Sequence, residues 1–557
     1  MTNRFFPIVM ASLLFCATYD LSYAQAVRGR IEGAVKDPQG QVVPNVALTI
    51  TNMGTGETLK ATSSADGAFV VAEVKPGTYR VTAEAAGFKK AIVEGVVAQV
   101  ATVATVNIDM QVGATSETIS INAGDSQEVV NTSNPEVGDV VDRQRILDLS
   151  LDGRNPLELT ALQAGVQTRS NAAGEIARFS INGNRTVANN ITVDGVNASD
   201  NFLKTPANIT LPVIPVSVES IGEFRVTTAL PSAEFGRGTA QINAITASGT
   251  NRFRGSLFEF HRNTVFNANT FFNNSTIDPE TGQSLPREPL IRNQFGGRLG
   301  GPIRRDRTFF FFSYEGKRES RGLSRNRAVY TEQARQGLFR YLNGRPTTPA
   351  NVAANPGLIR SVNLLGLNSN RATLDPAVAR YLALTPTPNN FQIGDGLNTG
   401  GYRFNAVILS PSDQFAGRLD HRINDKHSLE AIFSYGDVNF LGDYINDGEP
   451  AFPGAPYRTR DTLGRGLSTT LRSTLSPTIV NEARFGAQLA TLTFGNTATF
   501  PEGYQIDFEQ VFDPVNTFLG SGRNLRVLQF TDNLTWIRGE HTAKAGVELR
   551  SLSGSFF

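Results

Sequence analysis

Four stretches in the second half of this chain alternate apolar and polar residues with a period of two. Phe415, Gly417 and Leu419 oppose Gln414, Arg418, Asp420 and Arg422, while Asn481, Ala483, Phe485, Ala487 and Leu489 oppose Glu482, Arg484 and Gln488. Leu528, Phe530, Leu534 and Trp536 oppose Gln529, Thr531, Asn533 and Thr535; Ala543, Ala545, Val547 and Leu549 oppose Thr542, Lys544, Glu548 and Arg550. Side chains leave a strand on alternate faces, so each stretch specifies a strand with one apolar and one charged face. Two folds accept such strands. A soluble sandwich turns the apolar face inward, and a lipid-embedded barrel turns it outward around a wet lumen. Alternation alone does not separate them.

Composition narrows the choice. Beyond the N-terminus no apolar run reaches the length of about 18 residues that a membrane helix needs, which excludes a helical span and leaves a barrel open. The chain has 52 Lys+Arg against 51 Asp+Glu, so no net charge draws it to nucleic acid or to an anionic membrane surface. One cysteine and four histidines make a zinc cluster hard to build and an internal disulfide impossible. No Ser/His/Asp or Cys/His constellation points to catalysis, and no cofactor is expected. Of 36 phenylalanines, 9 lie in residues 1–250 and 27 in 251–557, and after Asn251 the only lysines are Lys317, Lys426 and Lys544. Two architectures in one chain account for that shift.

Residues 1–24 read as a secretory signal. Arg4 supplies the charged region, Phe5 to Ala17 an apolar stretch, and Ser22-Tyr23-Ala24 the small residues of a cleavage site, so the mature chain is expected to begin near Gln25. Cys16 falls inside this segment, and bulky Phe15 before it argues against lipid attachment. Export without a thiol fits the periplasm or outer membrane of a bacterium with two membranes.

Residues 25–112 carry short alternating runs separated by turn residues. Val27, Gly29, Ile31, Gly33 and Val35 share one face, Asp37-Pro38-Gln39-Gly40 turns the chain, and Val46, Leu48 and Ile50 align on the next run. Asp66-Gly67, Pro76-Gly77 and Gly87-Phe88 mark further turns, which spaces about seven strands as a β-sandwich. Asp37 to Gly40, Asn45 to Leu48, Asp66 to Phe69, Pro76 to Tyr79 and Gly87-Phe88 resemble a carboxypeptidase-regulatory-like domain. That resemblance implies a transthyretin-like sandwich of the carbohydrate-binding-like group, without peptidase activity.

Residues 113–141 lose periodicity and read as a connector. Within them Glu117, Thr118, Ile119, Ser120, Ile121, Asn122 and Ala123 form a β-prone island able to add to a partner's sheet edge. The island resembles a TonB box, the segment by which outer-membrane receptors engage the energy-transducing protein TonB. A last sandwich strand or an inert linker is the other reading. Residues 142–250 then carry Leu151-Asp152-Gly153-Arg154-Asn155-Pro156, Ile181-Asn182-Gly183-Asn184-Arg185, Val193-Asp194-Gly195-Val196, Ile221-Gly222-Glu223-Phe224-Arg225 and Ala233-Glu234-Phe235-Gly236-Arg237. These runs and their order resemble the plug domain of TonB-dependent receptors, and the sandwich before them is similar to the Oar-like subgroup. The glycines suit tight turns in a domain that must fit inside a barrel. Glu223, Arg225, Glu234 and Arg237 are either contacts to a wet barrel wall or solvated charges. Asp194 with 197–201 clusters oxygen ligands without EF-hand spacing, so a solvated loop facing incoming solute is expected there rather than a calcium site.

The resemblance continues through Arg292 to Ile303 and Phe309 to Gly316, making 251–557 the N-terminal part of an antiparallel transmembrane β-barrel. Phe309 to Phe312 fit either an aromatic girdle or a doubly packed strand. Segments 275–287, 340–401 and 499–522 read as long outer connections. His427-Ser428-Leu429-Glu430 has the spacing of a zinc peptidase, but on a strand residues three apart face opposite ways and cannot hold one ion. A plugged transporter has about 22 strands of about 10 residues each, or roughly 220 residues. About ten convincing strands are found, so an incomplete barrel, truncated at its C-terminus, is expected.

The fold class read here is therefore mainly β: sandwich, α+β plug, then barrel. The resemblance implies a receptor that takes a bulky solute across the outer membrane. Its implied partners are TonB with its inner-membrane energising complex, outer-membrane lipid and an unidentified solute, with the sandwich in the periplasm. A surface adhesion or signalling receptor without net transport is the alternative.

Overall fold

The computed structural model describes residues 28–557 apart from 115–116, 123–135, 150, 171–175, 186–187, 200–215, 233–234, 236–237, 276, 278–281, 368–372, 445–447, 498–507, 515–519 and 540. The signal segment with Cys16, Ala123, Glu234, Gly236, Arg237 and positions 200–201 lie outside the described residues.

The first unit is two sheets face to face. Strands β1 (Gly29–Lys36), β2 (Ala47–Asn52), β3 (Thr58–Thr62), β4 (Ala68–Val74), β5 (Gly77–Glu84), β6 (Lys90–Ala98), β7 (Val103–Thr105), β8 (Ile108–Asp109) and β9 (Thr118–Asn122) build it. One sheet runs β4-β1-β7 with β8 also on β1, and the other β3-β2-β5-β6-β9. The expected alternation holds in β1, where Ile31 and Val35 are fully buried and pack with Phe69 and Val71 against Leu48, Ile50, Val81 and Val93 of the facing sheet.

The second unit is a five-stranded mixed sheet in the order β10-β15-β16-β13-β14, with the hairpin β11-β12 beside it. Its strands are β10 (Val137–Asp142), β11 (Val166–Ser170), β12 (Ile176–Ile181), β13 (Asn189–Val193), β14 (Val196–Asn197), β15 (Ile221–Ala229) and β16 (Ala240–Thr246). A helix, Arg143–Asp148, and a 3-10 turn, Pro156–Leu162, close the core through Ile146, Leu157 and Leu159 on Phe224, Val226 and Ile242. The connector read as 113–141 is therefore not structureless: it contains β9, and its end falls inside β10, which pairs with β15.

The third unit is a ten-stranded antiparallel sheet, the number of strands legible in the sequence. It consists of β17 (Arg254–Asn263), β18 (Leu290–Arg304), β19 (Thr308–Tyr330), β22 (Thr399–Leu409), β23 (Ser412–Arg422), β24 (His427–Leu441), β25 (Arg458–Ser476), β26 (Ile479–Asn496), β27 (Ser521–Arg538) and β28 (His541–Phe556); β20 (Leu338–Leu342) and β21 (Ile359–Asn363) form a separate hairpin. β22 and β23 are two halves of one line, since both pair with β19 on either side of Pro411, which has no N–H to give a ladder. The connections alternate: 305–307, 423–426, 477–478 and 539–540 are short, and 264–289, 331–398, 442–457 and 497–520 are long. Of the long ones, 442–457 was not among those expected. The path runs from β17 to β28, and no ladder among the described residues joins those two strands.

The faces of this sheet decide between the two folds that alternation allowed. Arg484 and Gln488 are 2% and 0% exposed, whereas Phe485 and Leu489 on the other face are 43% and 44% exposed. The charged face is covered and the apolar face is open, the reverse of a soluble sandwich. Phe309 and Phe311 point to the covered side and Phe312 to the open side, so this strand is not packed on both faces. His427 bonds Ser473 Oγ at 2.9 Å while Glu430, on the opposite face, pairs with Arg28, Lys75 and Arg418.

Candidate functional site

The covered face of the large sheet is a seat for the first two units, and the sequence-derived site residues distribute over it at three levels. At the end with long connections sits the Asp152 to Asn155 loop. Gly153 takes φ +82° and Arg154 φ +55°, a turn that glycine makes without steric cost. It presents Asp152 Oδ1 to Arg262 and Arg292, each at 2.6 Å. Burial alone would raise the Asp152 carboxyl, but the two guanidinium groups hold it below the usual range. Gln294 donates to Gly153 O at 3.1 Å. Arg154 pairs with Glu219 at 3.1 Å and Glu315 at 3.4 Å, and its guanidinium lies 4.4 and 4.6 Å from the centroids of the Phe258 and Phe260 rings. Asn155 caps the 3-10 turn by accepting from Leu157 N.

Midway along the seat, Asp194-Gly195 presses on the wall. Asp194 is buried: its carboxylate accepts from Thr246 N at 2.8 Å and Thr246 Oγ1 at 2.6 Å, and Ser468 donates to its carbonyl at 3.0 Å. Burial raises this carboxyl above its ordinary value, against the pull of Arg418. Gln529 donates to Gly195 O at 3.2 Å and accepts from Asn197 N at 3.2 Å. Gly195 has φ +74°, and a Cβ there would stand 1.8 Å from Arg484 Nη1, so the close approach requires glycine. The expectation of a solvated loop at 194–199 is corrected, because Asn197 and Ser199 are buried with Asp194. Among the described residues no group of three His, Cys, Asp or Glu is placed to hold a metal. Gly183 makes a turn at φ +73° after β12, and Arg185 is exposed.

At the end with short connections the sandwich joins both other units. Arg28 lies 2.5 Å from Glu430 and from Glu482, and Lys75 lies 3.2 Å from Glu430 and 3.3 Å from Asp420. Burial works against both cations, yet the carboxylates hold their pKa above ordinary values. Lys544 reaches Glu73 at 3.3 Å, and Arg472 donates to Ala72 O at 3.2 Å. Sequence reasoning missed these contacts, since Arg28 and Lys75 look like ordinary surface charges of a strand and a turn. Glu223 and Arg225 meet the sandwich rather than the wall. Glu223 accepts from Val100 N at 2.8 Å, and Arg225 donates to Val100 O at 3.2 Å and pairs with Glu136 at 2.7 Å. Burial pushes the Glu223 carboxyl up to about 7, reinforced by Asp142 and opposed by the Val100 bond. A cavity of about 240 Å³ lies between the three units, lined by Glu57, Lys75, Glu223, Arg418 and Asp420.

The candidate TonB box is at this end too. Thr118 to Asn122 form β9, parallel to β6 in the register Lys90↔Thr118 to Glu94↔Asn122. Lys90 N donates to Glu117 O at 2.8 Å, and Lys89 pairs with Glu117 at 2.7 Å.

A polar seat on an open-faced antiparallel sheet is matched by the family model of the outer membrane beta barrel domain over residues 245–557. The chain belongs to this family. The carboxypeptidase regulatory-like domain matches residues 30–111 and the TonB-dependent receptor plug domain residues 131–241, completing the architecture of a TonB-dependent receptor in the outer membrane. The chain is 25% identical over 313 residues to the TonB-dependent transporter Oar of Myxococcus xanthus, which covers 55% of this chain and 28% of that protein. Among solved structures, the outer membrane transporter YddB of Escherichia coli aligns at 11% identity and a TM-score of 0.45 over 75% of this chain and 48% of its own. The ferric enterobactin receptor of Pseudomonas aeruginosa aligns at 13% identity and a TM-score of 0.40 over 75% and 49%. This chain thus spans under a third of the curated relative and about half of these solved chains.

Proposed function

We propose that this chain works as a TonB-dependent transporter, taking a bulky solute inward across the outer membrane with energy supplied by TonB and its inner-membrane complex. The units are taken as sandwich 25–112, connector 113–141, plug 142–250 and barrel 251–557, with a transthyretin-like fold for the sandwich. The large sheet is read as an arc of a plugged transmembrane barrel of about 22 strands, its long connections outside the cell and its short ones in the periplasm. The observation that carries the reading is the seat itself. A plug held by charged and amide groups on a polar wall, with Asp152 at the end of the long connections and the β9 segment on the sandwich, supports the reading that solute on one side and TonB on the other act on the same body. Solute arriving at the long connections would disturb the Asp152 to Asn155 loop, and pulling on residues 117–123 would unseat the plug. Glu117, Thr118, Ile119, Ser120, Ile121, Asn122 and Ala123 are the proposed TonB box. Gly153, Arg154, Asn155, Gly183, Arg185, Asp194, Gly195, Glu223, Glu234, Gly236 and Arg237 are the proposed plug motif.

Removal of residues 117–123 tests this. Binding of the purified C-terminal domain of TonB to outer-membrane vesicles should fall to background, with the protein still inserted. Undiminished binding would leave the adhesion or signalling reading in its place.

A further inference from the structure

The 331–398 connection carries the hairpin β20-β21, which neither the plug seat nor the TonB box uses. Its register opposes Phe339 to Val362 and Tyr341 to Arg360, so these four residues share one face. The Phe339 and Tyr341 rings lie 6.3 Å apart and within 19° of parallel, and are 44% and 36% exposed. Tyr381 and Phe452 at this end are buried, Tyr381 edge-on to Phe508 and Phe452 against Tyr402, Phe404 and Phe512, whereas Phe391 of the same connection is exposed but has no ring stacked beside it among the described residues.

The hairpin is held in place. The Asn398 amide accepts from Arg340 N at 2.8 Å and donates to Arg340 O at 2.7 Å, while Asp395 fixes that amide at 2.7 Å. The Arg340 guanidinium donates to Leu397 O, and Leu342 is buried beneath. The ring pair is a pre-positioned surface, which lowers the ordering cost of binding. Arg360 stands exposed at its rim, steadied through Nη1 on Gly357 O at 3.1 Å and Ile359 O at 2.9 Å. By sequence the connection carries Arg335, Arg340, Arg345, Arg360, Arg371 and Arg380 against Glu332, Asp375 and Asp395.

We propose that this face binds an anionic oligosaccharide whose sugars carry carboxylates. An aromatic face is electronegative, and the C–H groups of a pyranose, polarised by neighbouring oxygens, complement it. Two exposed rings with near-parallel planes, 6.3 Å apart, present aromatic surface to a chain of sugars. Arg360 supplies planar, two-pronged recognition of a uronate carboxylate, and the excess of arginine over acidic residues matches an anionic ligand in charge. A purely apolar partner would leave that guanidinium without use.

The inference rests on the proposed reading only in placing the connection outside the cell. Binding is therefore measured on the full chain in detergent, without TonB, with oligogalacturonate, neutral maltohexaose and polyaspartate as probes. Oligogalacturonate is expected to bind in preference to both others. Phe339→Ala with Tyr341→Ala should weaken it at least tenfold, Phe339→Trp should retain it, and Arg360→Gln should remove the preference over maltohexaose. An unchanged circular dichroism spectrum shows that each variant is folded. The proposal is overturned if oligogalacturonate does not bind, if the double variant binds it equally well, or if polyaspartate binds as tightly. Binding that persists after removal of 117–123, with TonB capture unaffected by that removal, would overturn the transport reading alone; absent binding with TonB capture intact would overturn this inference alone.

Discussion

Burial at the joint with the sandwich pushes the Glu223 carboxyl up to about 7, even though the Val100 N–H it accepts from pulls it down. When the joint opens, the carboxyl returns to an ordinary value of about 4.3; when it is closed, the value is about 7. The closed joint therefore holds more protons between those values. Closure is strongest on the acid side, weakens about tenfold per pH unit as pH rises toward 7, and levels off above it. Protection of the Val100 amide from hydrogen exchange, corrected for intrinsic rate, should fall between pH 5 and 7, and Glu223→Gln should flatten the profile. A profile unchanged in Glu223→Gln would show that this carboxyl does not control the joint. Sequence singled out Glu223 and Arg225 as charges on a strand, but their partner is a backbone 123 to 125 residues earlier, and no local rule pairs such positions. Gly195 was legible as a turn glycine for the same reason that its second role was not. Positive φ is a local property, whereas the approach of Arg484 belongs to the wall.

Among elements, β9 has the most consequence. It lies at the margin of its sheet with β6 as its neighbour, so a partner strand must either add to its outer side or draw it off β6. Ile92→Cys with Ser120→Cys, which face each other in the register, distinguishes the two. If β9 must leave, oxidation of the pair should abolish capture of the TonB C-terminal domain and reduction should restore it. Capture that survives oxidation would mean addition at the free side. The strands of the large sheet were legible because their period is short and local, and the resemblance supplied their order. The connection 442–457 was missed although Gly442, Gly448, Pro450, Pro453, Gly454 and Pro456 give it the same turn chemistry as the connections that were read, so the signal was present in the sequence. The division of β22 from β23 follows from one residue, Pro411, and was in principle readable.

For the molecule as a whole, the sheet must meet lipid on one side and the plug on the other. Leu489, near the middle of β26 on the open face, tests the first requirement. Leu489→Arg should cost about 2–4 kcal/mol at the bilayer midplane, reducing the folded fraction recovered from outer membranes, while Leu489→Phe should leave it unchanged. Equal recovery of both variants would place this face away from hydrocarbon. The two sides of the wall also differ in how they part from their neighbours. Apolar groups cannot leave lipid for water without a cost that grows with area. Asp152 on Arg292, Gly195 on Gln529 and Arg28 on Glu430 can each exchange a protein partner for water, at about 0.5–1.5 kcal/mol for the neutral amide–carbonyl bond and about 1.5–3 kcal/mol for a bond to a charged group. Water entering the seam would act as a lubricant, letting the plug slide along its bearing a few bonds at a time while the wall stays fixed in the bilayer.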